Sequence, residues 1–132
     1  QVTAIGRGGY VLQDCVNPAA VIIATGSEVE LAINAANTLA EQAIGVRVVS
    51  MPCAEIFSAQ NVDYRDSVLP PALRARVAVE ALHADYWYKF VGLDGRVVGM
   101  RSFGESAPGG ELMKEFGFTT ENVVANVLEA IG

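Results

Sequence analysis

The stretch Ala20 to Ser50 constrains this chain more than any other. Ala20-Val21-Ile22-Ile23-Ala24-Thr25 is a continuous apolar run with β-branched residues at its centre. A run without polar alternation suits a strand buried on both faces, the usual state in a parallel sheet. Gly26 breaks the run and Ser27 starts a helix. Ser27 and Glu30 have the spacing of a capping box, in which the hydroxyl accepts from the Glu30 N–H and the Glu30 side chain reaches back. Glu28 and Glu30 also place negative charge at the positive end of the helix dipole. Val29, Ala32, Ile33, Ala36, Leu39, Ala40 and Ala43 recur at helical spacing and predict one apolar stripe. Gly45 is expected as its left-handed C-terminal cap. Val46-Arg47-Val48-Val49-Ser50 is then a second strand, parallel to the first across a right-handed crossover.

The rest of the chain extends this βαβ unit. Residues 1–9 hold Gly6, Gly8 and Gly9 and read as a flexible linker. Gly6-Arg7-Gly8-Gly9 is not a dinucleotide fingerprint, because no strand precedes it and no helix follows. Tyr10 to Gln13 is a short strand. Too few residues separate it from Ala20 for a helical crossover, so it should run antiparallel or lie at an edge. Met51-Pro52 ends the second core strand, since proline has no N–H to donate. Short helical turns follow up to Leu69, with Ile56, Phe57, Tyr64, Val68 and Leu69 as apolar contacts. Arg76 to Ala81 and Arg96 to Met100 are further strands, flanking an aromatic helix from His83 to Val91. A helix is expected after Gly104-Glu105-Ser106-Ala107-Pro108, reaching Phe116. The last helix starts at Thr119, with Phe118 stapled onto Val123 and a stripe of Val123, Val124, Val127, Leu128 and Ile131. Strands alternating with helices predict a three-layer α/β/α sandwich, its mixed, mostly parallel sheet having about five strands, one of them antiparallel. The domain proper spans residues 10–132.

Composition narrows the function. A net charge of −6 lacks the basic patch that nucleic acid or an anionic membrane requires. No apolar run is long enough to span a bilayer. A content of 52% hydrophobic and 18% charged residues points either to tight packing or to surface covered by another domain or subunit. The first residue is Gln1 and not Met, which reads as a piece of a longer protein. Cys15 and Cys53 stand far apart in no metal spacing and read as reduced thiols of an intracellular, cytoplasmic protein.

Few residues could carry chemistry. Thr25-Gly26-Ser27 joins a strand's carboxyl end to a helix N-terminus, where backbone N–H groups could hold an anion. It lacks the lysine and longer glycine loop of a nucleotide phosphate site, and capping alone accounts for its residues. Gly26 and Ser27 are thus a candidate anion site. His83 is the only histidine. No serine or cysteine around it forms a recognisable nucleophile setting, and one histidine cannot build a histidine-rich metal site. Tyr86, Trp87 and Tyr88 beside it cannot all face one core, so His83 and these aromatics are read as a protein interface. Glu105 is the best candidate for a functional carboxylate, its simpler role being a charge at a helix start. No catalytic, cofactor-binding or metal-binding residue is assigned.

The motifs together resemble a known family. Arg7-Gly8-Gly9-Tyr10-Val11-Leu12, Ala24-Thr25-Gly26-Ser27-Glu28-Val29, Arg47-Val48-Val49-Ser50-Met51-Pro52, Tyr64-Arg65 with Ser67-Val68-Leu69-Pro70, Ala84-Asp85-Tyr86-Trp87-Tyr88-Lys89 and Gly104-Glu105-Ser106-Ala107-Pro108 look like the C-terminal domain of bacterial transketolases. The series runs in order along nearly the whole chain. The resemblance implies a parent enzyme of the pentose phosphate pathway that moves a two-carbon ketol unit between ketose and aldose phosphates. It implies thiamine diphosphate and a divalent metal, Mg or Ca, held by two preceding domains of a homodimer. It further implies a mixed five-stranded sheet and no catalytic residue in this stretch. Gly109-Gly110 departs from good helix formers, each glycine costing about 1 kcal/mol against alanine. Two rivals share the fold: a regulatory anion-binding domain, and the equivalent domain of a related thiamine-diphosphate enzyme such as a 2-oxo acid dehydrogenase β chain or deoxyxylulose phosphate synthase. A receiver-like module would need clustered aspartates at strand ends, and they are missing.

Overall fold

The computed structural model describes residues 6–26, 28–80, 88–91, 96–99 and 119–132. The strands are β1 (Tyr10–Gln13), β2 (Ala20–Ala24), β3 (Val46–Ser50), β4 (Arg76–Glu80) and β5 (Arg96–Gly99). Among the described residues the helices are α1 (Glu28–Glu41), α2 (Ala54–Ser58), α3 (Val62–Val68), α4 (Tyr88–Val91) and α5 (Thr120–Ile131). The strands form one sheet in the order β1-β3-β2-β4-β5. β1 is antiparallel to β3, and β2 is parallel to β3 and β4, as β5 is to β4. The five-stranded mixed sheet with one antiparallel strand is the one expected. β1 is both antiparallel and at the edge, because its short connection to β2 leaves no room for a crossover. Its register slips between Val11 and Gln13, a bulge that twists and blunts the exposed edge.

β2 shows why an unbroken apolar run forms the centre of such a sheet. All five of its residues are buried. Ala20, Ile22 and Ala24 join a core with α1, α5, β3 and β4. Val21 and Ile23, pointing the other way, join a second core with Met51, Phe57, Val68, Leu69, Phe90 and Val91. Helices therefore cover both faces of the sheet, giving three layers. Burying each such aliphatic side chain contributes roughly 1.5–3 kcal/mol. Ala32, Ala35 and Ala36 bring α1 close onto its face.

Several local expectations change. The α1 stripe is rotated: Ala35 is buried, while Ala40 and Ala43 are exposed. The left-handed residue after α1 is Ala43, with φ 63°, and not Gly45. Ala43 N–H donates to Ala40 O and Ile44 N–H to Leu39 O, each at 3.0 Å, the two bonds of a Schellman motif. Gly45 serves another purpose, since a Cβ there would lie 2.8 Å from Cys15 Sγ. Ile56, Leu128 and Ile131, expected in the core, are 46%, 40% and 41% exposed. In α5 only Val123 and Val127 are fully buried, where the helix faces both α1 and the sheet. The helix through Phe116, the Phe118 staple and the Ser27–Glu30 box fall on or involve residues outside those described.

Candidate functional site

The strand order defines where a ligand would sit. From β2 the chain passes to β3 on one side, then returns to place β4 on the other side of β2. Open α/β sheets bind ligands at such a switch, beyond the carboxyl ends of the strands. Ala24 and Ser50 end β2 and β3 here, Val79 pairs with Ala24 one residue before the end of β4, and the turn Thr25-Gly26 forms the rim. Gly26 is exposed with φ 52°, a conformation glycine adopts without steric cost.

Two features of this turn act against an anion. The Glu28 N–H donates to Thr25 O at 3.0 Å and the Val29 N–H to Gly26 O at 3.3 Å, so first-turn amides are already used. Glu28, expected only as a dipole-stabilising charge, is 6% exposed. Its Oε2 lies 4.0 Å from where a Gly26 Cβ would stand, so a carboxylate occupies the turn. Ser27, His83, Tyr86, Trp87 and Glu105 lie outside the described residues, and Tyr88 is the first residue of α4.

A close-packed polar arrangement lies elsewhere, at two glycines whose composition alone suggested a linker. Gly8 and Gly9 are buried. A Cβ on Gly8 would run into the Cys53 carbonyl oxygen and come within 2.5 Å of the Phe57 nitrogen. On Gly9 it would reach Met51 Sδ at 2.5 Å and Phe57 Cδ1 at 2.9 Å. The Cys53 N–H donates to Gly8 O at 2.9 Å, and the Tyr64 hydroxyl donates to Gly9 O at 2.7 Å. The Arg7 guanidinium stacks 4.5 Å from the centre of the Tyr64 ring. These partners are separated by up to 55 residues, so no local pattern announces them. The glycines read as flexible are required for close approach instead.

Two arginines act as further clasps. Arg47 donates through Nε and Nη2 to the Asp14 carboxylate at 3.1 and 3.2 Å, and through Nη1 to the Ser67 and Val68 carbonyls at 3.0 Å. Desolvation pushes the Asp14 carboxyl up, but the Arg47 hydrogen bond, the Cys15 N–H and the guanidinium charge outweigh it, so Asp14 titrates below its ordinary value. Desolvation and the neighbouring Asp14 charge push the Cys15 thiol up. Arg76 donates to the carbonyls of Leu73, Phe90, Leu69 and Pro70, tying the start of β4 to α4. These are structural contacts, with every acceptor a backbone carbonyl or a single carboxylate.

Among the described residues no group of three His, Cys, Asp or Glu could hold a metal ion. Cys15 and Cys53 are free thiols. No helix among the described residues is long and apolar enough to cross a membrane. The described residues thus form an α/β sandwich with a buried carboxylate, Glu28, beside its strand ends. Residues 8–119 match the family model of the transketolase-like C-terminal domain. The chain belongs to that family. Transketolase 1 of Escherichia coli (strain K12) is 57% identical over 132 residues, covering 99% of this chain and 20% of that protein. Transketolase 1 of Vibrio cholerae is 55% identical over 132 residues, again 99% of this chain and 20% of the relative. The solved transketolase from Leishmania mexicana superposes with a TM-score of 0.90 at 43% identity, covering 99% of this chain and 19% of that one. The chain therefore spans about a fifth of the length of the curated relatives it matches.

Proposed function

We propose that this domain is the non-catalytic C-terminal part of a transketolase, which completes the subunit and supports dimer assembly. The observation that carries the reading is the alignment of 99% of this chain with one fifth of enzymes named transketolase. In this reading the full-length protein is a cytoplasmic homodimer. It transfers a two-carbon ketol unit between ketose and aldose phosphates in the pentose phosphate pathway. Thiamine diphosphate and a divalent metal, Mg or Ca, are held by the two preceding domains. Residues 1–9 form the connection to them and residues 10–132 the domain. His83, Tyr86, Trp87 and Tyr88 supply interface contacts, which their aromatic character favours.

The test is a ketol-transfer assay on the full-length protein and on this domain alone, with thiamine diphosphate and magnesium supplied. An active parent and an inactive domain are expected. Activity in the domain alone would overturn the division of labour, with His83 and Glu105 the first residues to replace. Removing the domain should weaken dimerisation, and an unchanged dimer dissociation constant would count against the structural role. An anion at Gly26 and Ser27 is the second reading, supported by the position of this turn at the switch of strand order and opposed by Glu28. A phosphate titration followed by NMR that leaves both amides unmoved removes it. An upstream sequence matching another thiamine-diphosphate enzyme would reassign the parent.

A further inference from the structure

The segment Arg7-Gly8-Gly9 is held by backbone and side-chain contacts, with Gly8 and Gly9 buried and Arg7 partly so. Its backbone accepts from the Cys53 N–H and the Tyr64 hydroxyl, and its one charged side chain stacks on the same tyrosine ring. Gly8 and Gly9 leave no space for a Cβ against α2 and Met51. Tyr64 is itself placed by the Asn61 side chain, which accepts the Tyr64 N–H at 2.8 Å, and by an edge-on contact with Phe57 at 6.1 Å. Ile56 borders this entry, its Cβ 2.9 Å from where a Gly8 Cβ would be, yet the residue is 46% exposed. The family is a C-terminal domain and the relatives are about five times longer, so the rest of such a protein reaches the domain through this segment.

We propose that Arg7-Gly8-Gly9 is a rigid splint that fixes the direction of chain entry, and that the preceding domain of the same polypeptide docks on the adjacent surface around Ile56. A tether would let the two domains reorient freely. A splint carries the packing of α2 and α3 directly into the joint. Ile56, an apolar residue at the mouth of that joint, is then covered in the full-length protein. The proposal rests on the reading that the domain follows the rest of a longer enzyme.

The experiment is hydrogen–deuterium exchange of the full-length protein, read on peptides that contain residues 7–13 and on those just upstream. The entry peptides should exchange slowly in the natural protein. Tyr64→Phe removes only the hydroxyl, and Arg7→Gln only the stacked cation. Each should speed exchange at the entry roughly tenfold while β2 and β3 peptides are unchanged. Ile56→Glu should leave the exchange of this domain alone and speed that of the preceding domain. Natural entry peptides exchanging like unstructured chain would overturn the splint, as would variants that act throughout the domain or not at all. An Ile56→Glu protein with unchanged exchange upstream would overturn the docking surface. A parent inactive in ketol transfer but slow at the entry would sink the enzymatic reading and leave the splint standing.

Discussion

A Cβ added at Gly8 meets backbone, whereas one added at Gly45 meets the end of a side chain. Gly8 has φ 85° and abuts the Cys53 carbonyl and the Phe57 nitrogen, neither of which can move without displacing α2. Gly8→Ala should cost roughly 3 kcal/mol or more, since overpacking and left-handed strain add. At Gly45 the obstacle is Cys15 Sγ at 2.8 Å, and Cys15 is exposed. Gly45→Ala should cost about 1 kcal/mol, and adding Cys15→Ala should recover most of it. Urea melts of the three variants check both expectations, and a Gly45→Ala loss untouched by Cys15→Ala would refute the contact. Ala43 presents the opposite case, a side chain held at φ 63° after α1. Ala43→Gly should stabilise by roughly 0.5–1 kcal/mol, because relief of the left-handed strain exceeds the added unfolded-state entropy.

Arg47 belongs to the scale of elements. It sits in β3 and joins the turn after β1 to the last carbonyls of α3, so one side chain holds three elements together. Arg47→Met should cost about 1–3 kcal/mol, with two carbonyls and a carboxylate losing a charged donor. The pairing also predicts a pH dependence. The Asp14 pKa is lowered by folding relative to 3.8, so its contribution is present above that value and is lost as pH falls through the depressed folded value. The stability difference between the natural protein and Asp14→Asn should therefore be flat near neutrality and shrink below about pH 4. Chemical melts across that range measure it, and a difference that persists in acid would contradict the ion pair. Half of the pair is exposed, so the plateau should be only about 0.5–1 kcal/mol. At the other end of the chain, Thr119 accepts the Asn122 N–H and starts α5, as its sequence position suggested.

Among the described residues the sheet separates two cores that share no side chain. Val127 lies in one and Val49 in the other, each fully buried. Val127→Ala and Val49→Ala should each cost roughly 2 kcal/mol, through lost burial and the cavity left behind. Because their neighbours differ, the double variant should lose the sum to within about 0.5 kcal/mol. A large coupling term would mean that the sheet transmits strain between its faces.

What the amino-acid sequence determined by itself is the set of elements and their class. The β2–α1–β3 unit, the antiparallel β1 and the helix start at Thr119 rest on apolar runs, loop length and capping chemistry, all read over a few neighbouring residues. The family, too, was visible in a series of short motifs kept in order. Tertiary structure alone decided that β4 joins β2 and not β3, and hence where the strand order switches. It also decided that Glu28 is buried at that rim, that Ala43 and not Gly45 turns left-handed, and that Leu128 and Ile131 face outward. Gly8 and Gly9 are the clearest case, since the same two residues suit a flexible linker or a closely packed splint. The physical reason is range. Periodicity and caps act through bonds within one or two turns, whereas the space around a glycine depends on side chains that only the closed fold brings alongside it.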